Sequence, residues 1–426
     1  RRGPPKRPGR PAGHRGAFRP RPGPDDCDHT VPVPPGTCEN CGKAECKPTG
    51  AEVLYPVEGV RFVREVVGYG LQEGECPCCG HRQFAHLPDK LGPRPKIDVE
   101  TQAFALTLRN DIGLSFGKIA KLFGVAGLQI TKGGLVQMMR RTREMLLPAR
   151  IEIRDRLRQL PYAHMDETGA RHQGRSTYIW LACSPELSFF EHGPGRGAEV
   201  IVGILGENYG GIIVADFYAA YVRFVNKLAT GGARLQSCWP HLLREAWRVA
   251  EIQESEQTAD FARRVHALYD RAKEIAARDQ PWLKTPGDFI GLWRRFENLA
   301  LDERFAASPD VVRLQERMIR FHESLLRFVE TPGLPGGNNQ GERDIRAFVI
   351  LRHTSFCTRS DEGMKDLSHL LTITQTLRKQ GRTWFDYLPQ ARAAHHQGRP
   401  LPSVFRSPAS PRPGSKTAGH GQPAFC

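Results

Sequence analysis

Three acidic residues stand at the ends of apolar segments or at the start of a helix, and their types suit a metal site. Asp166 closes the apolar segment YAHMD, and Asp216 closes the apolar segment GIIVAD. Glu342 lies in NNQGERDIR, in a turn that enters a later helix. Carboxylate oxygens are the hard ligands that Mg²⁺ requires, and two such ions about 3.5–4 Å apart can clamp the attacking and leaving oxygens of a phosphoryl transfer. Taken singly, each acid is also compatible with a surface carboxylate or an ion pair.

A second group of candidate metal ligands lies nearer the N-terminus, where seven of the 11 cysteines fall between residues 27 and 79. CENCG places Cys38 and Cys41 on one knuckle, and CPCCG places Cys76 and Cys79 on another. Two Cys-x-x-Cys knuckles, each followed by Gly, are typical of a Cys₄ zinc ribbon. Because no secretory signal accompanies the cysteines, we expect metal binding in a reducing compartment rather than disulfides.

The zinc ligand set remains open at this point. The 34 residues between the knuckles exceed the roughly 15–20 of compact sites, and free thiols are the alternative to zinc. Other residues of the module compete as ligands: Cys27, Cys46, Cys78, His81 and His86.

The elements that must position these residues follow from hydrophobic periodicity. Residues 97–160 have apolar residues at helical spacing. A series of strand-like segments follows, and helices then continue to about residue 330, where ETPGLPGG interrupts them. The expected strands are YAHMDE, STYIWLACS, LSFFEHG, AEVIVGIL and GIIVADF.

One stretch of the helical region, LSFGKIAKLFG followed by LQITKGGLVQMMRR, is similar to a helix-turn-helix. We expect Gly124 at the turn and Thr131 as the cap of the second helix. An ordinary amphipathic helical pair is the alternative. In the first interpretation, three basic side chains are available to DNA phosphates: Lys132, Arg140 and Arg141.

The net charge favours a polyanionic partner. The chain of 426 residues has 61 Lys and Arg against 46 Asp and Glu, a formal net charge of +15. Residues 1–26 carry +6 of this charge and residues 391–426 carry +5. Both segments are rich in Pro, Gly and Arg, and we expect them to be disordered. Such a segment can follow a phosphate backbone or act as a solvated linker.

No membrane or export signal is visible. No apolar run approaches the roughly 18 residues that a membrane helix needs, and no apolar segment follows the basic N-terminus as in a signal peptide. The first residue is Arg rather than Met, as expected of a truncated chain.

Several motifs occur in a definite order from about residue 9 to about residue 405. They are GRPAGHRG, the two cysteine knuckles, HMDETGAR, GIIVADFYAAY, CWPHLLREA, GGNNQGERDIR and LPQARAAHHQGRPLPSV. In this combination the chain resembles the transposases of the insertion sequence 66 family, a group of bacterial mobile elements. HMDET, CWPH followed by Arg, and NNQGER are the most specific of these matches.

The resemblance implies a ribonuclease-H-like fold for the central part, with a catalytic triad of two Asp and one Glu. Motif by motif, these acids are Asp166 of HMDET, Asp216 of VADFYAAY and Glu342 of NNQGER. Glu167 then points to the opposite face of the strand, as a solvated or structural neighbour. His164 shares the face of Asp166 and either touches the site or packs beside it.

The 126 positions from Asp216 to Glu342 are too many for a direct connection. The resemblance therefore implies a helical insertion at about 245–330. Cys238 and His241 of CWPH match a Cys-x-x-His signature of several transposase groups. We expect a buried Cys and a His that packs behind the metal site rather than a second zinc site, because only two ligands are at hand.

The surroundings of Glu342 include two arginines and a glycine. Arg343 and Arg346 either hold DNA phosphates close to the metals or neutralise the acids. Gly341 stands where relatives commonly have Ala, and we expect it to weaken the start of the helix slightly.

The expected chain is thus a multidomain α+β and α/β protein. It combines an N-terminal zinc ribbon, a helix-turn-helix-like helical segment and a ribonuclease-H-like catalytic core with a helical insertion. The expected boundaries are a basic tail at 1–26, a zinc-binding module at 27–90, a helical DNA-binding segment at 97–160, a catalytic domain at 161–390 and a basic C-terminal tail at 391–426.

The activity implied is transposition. A phosphodiester at the element end is hydrolysed, and the freed 3′-hydroxyl then attacks target DNA. The implied cofactors are Mg²⁺ (or Mn²⁺) at the acids and Zn²⁺ at the cysteines. The implied partners are double-stranded DNA, further copies of the chain in a homo-oligomer and accessory proteins of the same element, in the bacterial cytoplasm and without a membrane. A non-catalytic DNA-binding remnant and a structure-specific nuclease of the same fold remain alternatives.

Overall fold

The computed structural model describes residues 25, 27, 30, 33, 36–38, 40–43, 45–49, 62–91, 97–278, 286–355 and 358–406. The expected N-terminal tail, apart from residue 25, and residues 407–426 of the expected C-terminal tail lie outside these residues. The chain divides into two units, Arg1–Glu65 and Val66–Cys426.

The first unit contains the first cysteine knuckle. An antiparallel β-bridge pairs Thr37 with Glu45 on either side of the knuckle. The Gly42 amide donates to the Cys38 carbonyl at 2.8 Å, which closes the turn. Gly42 has a φ of 62°, a conformation that glycine adopts without steric strain. The Gly after the knuckle is therefore a requirement of the turn.

The second unit contains a hairpin and a mixed five-stranded sheet. The hairpin strands are β1 (Glu73–Glu75) and β2 (Arg82–Phe84). The sheet strands are β3 (Tyr162–His172), β4 (Arg175–Cys183), β5 (Ser188–Gly193), β6 (Ile212–Ala215) and β7 (Arg234–Ser237). Their order is β5-β4-β3-β6-β7. β3, β4 and β5 are antiparallel neighbours, whereas β6 and β7 run parallel to β3.

Helices surround this sheet. Four precede it: α1 (Val99–Asn110), α2 (Phe116–Val125), α3 (Lys132–Met145) and α4 (Leu147–Arg158). Two short ones lie between its strands: α5 (Glu199–Leu205) and α6 (Ala219–Arg223). Nine follow it: α7 (Trp239–Gln253), α8 (Glu256–Ala276), α9 (Pro286–Ala300), α10 (Pro309–Arg320), α11 (His322–Glu330), α12 (Asn339–Asp344), α13 (Arg346–Ser355), α14 (Asp361–Lys379) and α15 (Trp384–His396). None of these helices, in the described part of the chain, has the length and apolar character needed to cross a bilayer.

The sheet is covered on both faces. All four residues of β6 are buried, as expected of a strand with packing on each side. Ala163 and Met165 of β3 belong to a core that also contains residues of α1 to α6. Tyr162, from the opposite face of β3, packs against a second core built largely from α7 to α11. The alternation of side chains along β3 therefore separates the two cores.

The long helical segment after β7 is held together by Trp239. Its indole ring stacks on Tyr269 with a centroid distance of 5.1 Å, and Nε1 donates to the Leu325 carbonyl at 2.6 Å. The side chain is fully buried, so the first turn of α7 contacts both α8 and α11. The helical run begins here, directly after β7.

One expected strand is wrong. AEVIVGIL forms the helix α5, with Ile201, Ile204 and Leu205 buried. These positions have the i, i+3, i+4 spacing of a helix face. A short apolar run rich in β-branched residues fits either element, and here the packing against the first core determines the helix.

The expected C-terminal tail is also partly folded. Residues 391–396 continue α15, and Val404 is completely buried. The Tyr387 hydroxyl donates to the Pro402 carbonyl at 3.1 Å, and the Val404 amide donates to Glu152 at 3.1 Å. The expected start of the C-terminal tail at residue 391 is therefore too early. The basic composition of this segment predicted disorder, although its first residues pack against the folded domain.

A buried arginine ties three elements together. Arg150 of α4 has a side chain that is only 6% exposed. Its guanidinium donates to the Ser368 carbonyl at 3.2 Å and the Thr372 hydroxyl at 2.9 Å in α14, and to the Phe190 carbonyl at 3.0 Å in β5. It also pairs with Glu191 at 2.7 Å. Burial lowers the pKa of Arg150, so these acceptors must compensate for its lost hydration.

We expect Arg150→Met to lower the free energy of unfolding by about 3–5 kcal/mol, because it leaves a carboxylate and buried carbonyls without their donor. Urea denaturation at neutral pH measures this loss. Arg154→Met is the matched control on the same helix, since Arg154 is 37% exposed and pairs with the adjacent Asp155; its effect should stay within about 0.5 kcal/mol. Equal losses in the two variants would contradict the structural role of Arg150.

Candidate active site

Two parallel strands bring Asp166 and Asp216 to neighbouring positions in the sheet. His164 of β3 pairs with Val214 of β6, and each acid follows its strand's paired residue by two positions. Side chains two residues apart lie on the same face of a strand, so the two acids lie side by side on one face. Asp216 follows β6 directly, and its Oδ1 accepts a hydrogen bond from the Tyr218 amide at 3.0 Å.

Asp166 is in an unfavourable place for a negative charge. Burial raises its pKa to about 7, and the negative charges of Glu167, Asp216 and Glu342 add to this rise. The amide of Glu167, which donates to Oδ1 at 2.8 Å, favours the ionised form. Like charges that share a site disfavour ionisation. The three expected acids therefore lie close enough for the charges of Asp216 and Glu342 to affect Asp166.

Glu342 reaches the same region from the first turn of α12. Arg244 of α7 binds both of its oxygens, with N–O distances of 2.7 and 3.2 Å. This hydrogen bonding lowers the pKa of Glu342. Sequence reasoning noted an arginine after CWPH but assigned it no contact. Arg244 thus keeps Glu342 charged and fixes its direction.

Asn338, which sequence reasoning missed, connects α12 to the strands. Its side chain is buried, and Nδ2 donates to the Met165 carbonyl at 2.7 Å. Its own amide donates to Cys238 Sγ at 3.1 Å, and its carbonyl accepts from the Glu342 amide at 3.1 Å. An Asn before a helix is usually read as a simple N-cap; nothing in the sequence indicated its burial. Asn338 therefore sets the position of Glu342 relative to β3.

His164 packs beside the acids as a neutral side chain rather than as a positively charged one. Burial lowers its pKa to about 4, so the ring is neutral at physiological pH. Nδ1 lies 2.9 Å from Asn338 Oδ1, an arrangement in which the ring donates and the amide oxygen accepts. Its role is to orient Asn338.

The structure gives a steric reason for glycine at position 341. A Cβ atom at this position would lie 2.7 Å from Asn338 Oδ1 and 2.9 Å from Nδ2. Such distances require the amide to move. The glycine therefore leaves room for the side chain of Asn338, in addition to any effect on helix propensity.

Glu167, the neighbour of Asp166, is not solvated. Its side chain is 4% exposed and forms an ion pair with Arg196. The Tyr221 hydroxyl donates to Oε2 at 2.6 Å, and the guanidinium of Arg196 lies 4.1 Å from the ring centroid of Tyr218. Glu167 thus faces the first core, on the side of β3 opposite to Asp166, as a structural residue.

Cys238 and His241 lie next to Glu342. Cys238 is completely buried at the end of β7, and burial raises the pKa of its thiol to about 11. His241 Nδ1 lies 3.6 Å from Glu342 Oε1. One ligand atom from each of the three residues falls within 4.8 Å of the others, and the described residues contain no other such group of three. The expectation of only two available ligands is wrong, because α12 supplies a third.

The helical pair expected to bind DNA is α2 and α3. Thr131 caps α3 as expected, with Oγ1 accepting from the Gly134 amide at 3.0 Å. Gly124 lies inside α2 rather than at the turn. Gly127, with a φ of 87°, occupies the turn instead.

The basic residues of α3 differ in their surroundings. Lys132 and Arg141 are exposed. Arg140 is 27% exposed and lies 3.6 Å from Asp366 of α14. An arginine held in an ion pair within the protein is less available to a phosphate, so Arg140 stabilises the contact between α3 and α14.

Arg343 and Arg346 are exposed beside Glu342. Arg343 donates to Gln340 at 2.7 Å within the same helix. The positive charge of Arg346 helps to lower the pKa of Glu342. Both side chains are therefore at the edge of the acidic site and open to solvent.

The cysteine knuckles lie one in each unit. Backbone amides of Cys41 and Asn40 lower the pKa of Cys38. Amides of Cys78 and Cys79 lower the pKa of Cys76 in the same way. The second knuckle occupies the turn of the β1–β2 hairpin. Amide donors that stabilise a thiolate favour metal coordination.

Comparison with known proteins gives two findings. Residues 96–366 match the model of a family described as "Transposase IS66 family". The chain is also 33% identical over 79 residues to "Uncharacterized protein y4jO" of Sinorhizobium fredii. That second match covers 18% of this chain and 25% of the other protein, so the chain spans about a quarter of the length of this relative.

We expect metal-free Asp166→Asn to be more stable than the unchanged protein at pH 8, by about 2–4 kcal/mol. The folded pKa of Asp166, about 7, exceeds its ordinary value of 3.8, so its contribution to stability is present at low pH and is lost as pH rises towards 7. The advantage should therefore shrink at pH 4. Urea denaturation at both pH values in a chelator measures it. Asp155→Asn is the control at an exposed position and should show no such pH dependence. If Asp166→Asn also showed none, Asp166 would be solvated and the predicted effect of burial would be wrong.

Proposed function

The chain belongs to the IS66 transposase family, and we propose that it cuts the ends of a bacterial DNA element and joins the freed 3′-hydroxyl to target DNA. In this proposal Asp166, Asp216 and Glu342 are the catalytic acids and hold two Mg²⁺ or Mn²⁺ ions. The observation that supports it is the placement of Asp166 and Asp216 beside each other on parallel strands; burial raises the pKa of Asp166 to about 7, and the charges of Asp216 and Glu342 add to this rise. A divalent cation would relieve that repulsion.

The residues fit a hard divalent ion. Asp166 and Asp216 offer oxygen ligands on one face of neighbouring strands, which is the donor type that Mg²⁺ prefers. When bound, two ions polarise the scissile phosphate and stabilise the attacking and leaving oxygens. The chain's own part is to hold the carboxylates in register, to keep Glu342 ionised through Arg244 and to position α12 through Asn338.

The strand order supports a ribonuclease-H-like catalytic domain. Three antiparallel strands followed by two parallel ones, in the order β5-β4-β3-β6-β7, place the two aspartates on adjacent strands. The helices α7 to α11 separate β7 from α12 and form the proposed insertion. The catalytic domain then extends from about residue 161 to residue 406, with the insertion beginning at Trp239.

DNA contacts are proposed for the exposed basic residues. Arg343 and Arg346 would bind phosphates beside the acids, and Lys132 and Arg141 would bind them on α3. Arg140 is left out because it pairs with Asp366. Two element ends must be cut together, so we propose a homo-oligomer on double-stranded DNA, with accessory proteins of the element, in the bacterial cytoplasm.

A zinc module is proposed for the cysteine-rich segment. Cys38 and Cys41 would supply one pair of thiolates, and Cys76 and Cys79 the other. The lowered pKa of Cys38 and of Cys76 supports this assignment. The segment would then contribute to DNA recognition.

We expect Asp216→Asn to reduce Mg²⁺-dependent cleavage of DNA that carries the element ends by at least about 10³-fold, because an amide is a poor ligand for a hard cation. Gel assays of cleavage and strand transfer measure this, with Asp155→Asn as the control. Cleavage that survives the change would exclude the metal triad. An unchanged protein that cuts without joining would indicate a nuclease, and one that binds without cutting would indicate a DNA-binding remnant.

We expect Cys76→Ser to lower the zinc content of the purified protein by about one equivalent, since a Cys₄ site loses a required thiolate. Elemental analysis measures the metal. Cys78→Ser, the matched neighbour within the same knuckle, should retain the zinc. Zinc that is lost from Cys78→Ser but retained by Cys76→Ser would show that the assigned ligand set is wrong. Less than about half an equivalent of zinc in the unchanged protein would contradict a zinc module.

A further inference from the structure

A second group of residues that could bind a metal ion includes one of the proposed catalytic acids. Cys238 directly follows β7 as the N-cap of α7, His241 lies in the first turn of α7, and Glu342 lies in the first turn of α12. Their ligand atoms lie within 4.8 Å of one another. In a tetrahedral zinc site, metal–ligand bonds of about 2.0–2.3 Å give ligand separations of about 3.3–3.8 Å. Small side-chain adjustments would therefore close these three ligands around one ion.

The surroundings of the two residues from CWPH suit coordination. His241 Nδ1 is buried and has no hydrogen-bond partner, which is costly for a polar atom unless something else binds it. The Asn338 amide donates to Cys238 Sγ at 3.1 Å. Amide donors of this kind commonly support a metal-bound thiolate. The imidazole and the thiol thus both present unused ligand capacity towards Glu342.

The mixture of ligands selects a different ion from the proposed catalytic one. A thiolate, an imidazole and a carboxylate match the preferences of Zn²⁺ and Co²⁺, whereas Mg²⁺ takes oxygen ligands. Three protein ligands leave a fourth position open. Coordination would release the thiol proton of Cys238 to water as the metal–sulfur bond forms.

Glu342 is a proposed ligand of both sites, and an oxygen that binds an ion at Cys238 and His241 is no longer available to the catalytic ions. Its two oxygens are presently bound by Arg244, whose side chain is 55% exposed and can turn into solvent. An ion held by Cys238 and His241 would draw the carboxylate away from Asp166 and Asp216. We propose that Cys238, His241 and Glu342 form a site for Zn²⁺ or a similar transition-metal ion, and that its occupation inhibits the enzyme by removing Glu342 from the catalytic acids. The inhibitory half of this inference rests on the proposed function, whereas the binding half does not.

Cobalt titration tests the binding. The protein is first loaded with Zn²⁺ at its cysteine module, and Co²⁺ is then added while the thiolate-to-cobalt absorption is recorded. The expected result is about one further equivalent of bound Co²⁺ with thiolate absorption. Cys238→Ala and His241→Ala should each reduce that absorption at least about fivefold.

The control is Cys183→Ala, which removes another fully buried cysteine, on β4, outside the cluster; it should keep the absorption. Unchanged absorption in Cys238→Ala, or its absence from the unchanged protein, would overturn the inference. His241 is only partly buried, so we expect His241→Ala to fold. It therefore still tests the site if Cys238→Ala fails to fold.

Zinc inhibition tests the second half. Each protein is compared with its own cleavage rate in Mg²⁺ alone, and Cys238→Ala should require at least about tenfold more Zn²⁺ for half-inhibition than the unchanged protein. Equal sensitivity would overturn the inhibitory role. If instead the Asp216→Asn variant still cleaves DNA, the proposed function fails while the cobalt result stands, so the two failures are distinguishable.

Discussion

Negative charges gathered in a partly buried space are the constraint on which this structure depends. Asp166 and Asp216 are neighbours because β3 and β6 are parallel and in register, and hydrogen bonding in the sheet prevents them from moving apart. Glu342, in the first turn of α12, lies close enough for its charge to raise the pKa of Asp166. Such an arrangement opposes folding in the absence of a cation, so the rest of the domain must compensate for it.

The compensation comes from elements far apart in the chain. α12 has only six residues, too few to be stable alone. Asn338 attaches its beginning to β3. At its other end, Asp344 pairs with Lys379 of α14, and both side chains are 13% exposed. Lys379 also donates to the Leu187 carbonyl at 2.8 Å. A short helix with buried polar contacts at both ends can therefore carry a charged residue to the site.

Sequence reasoning singled out Asp166 and Asp216 because their signal is local. An apolar segment that ends in Asp is visible in a few residues, and YAHMD and GIIVAD both became strands. The prediction of a strand for AEVIVGIL was wrong. Its apolar pattern over eight residues fits either a strand or a helix, and in the folded protein the segment packs as the helix α5. Sequence reasoning passed over β7, since RLQS has three polar residues of four, although three of the four are buried. Burial against another element is what a single sequence shows least.

The same limit explains the missed contacts. Asn338 and Arg244 are ordinary in sequence, and their importance lies in partners 173 and 98 positions away. The third ligand beside Cys238 and His241 was overlooked for the same reason, because Glu342 lies about a hundred residues later. The basic C-terminal segment was assigned to a tail by composition, although Val404 is buried. Long-range pairing, rather than local propensity, accounts for these differences.

The close approach of Asn338 and Gly341 has an evolutionary consequence. The two residues share one small volume, since a methyl group at 341 and the amide of 338 in its present place exclude each other. Substitutions at the two positions would therefore have non-additive effects. A descendant of this chain could acquire alanine at 341 only along a route in which the amide at 338 also finds a new arrangement. The residues at positions 338 and 341 would then change together during evolution, so neither position could be interpreted without the other.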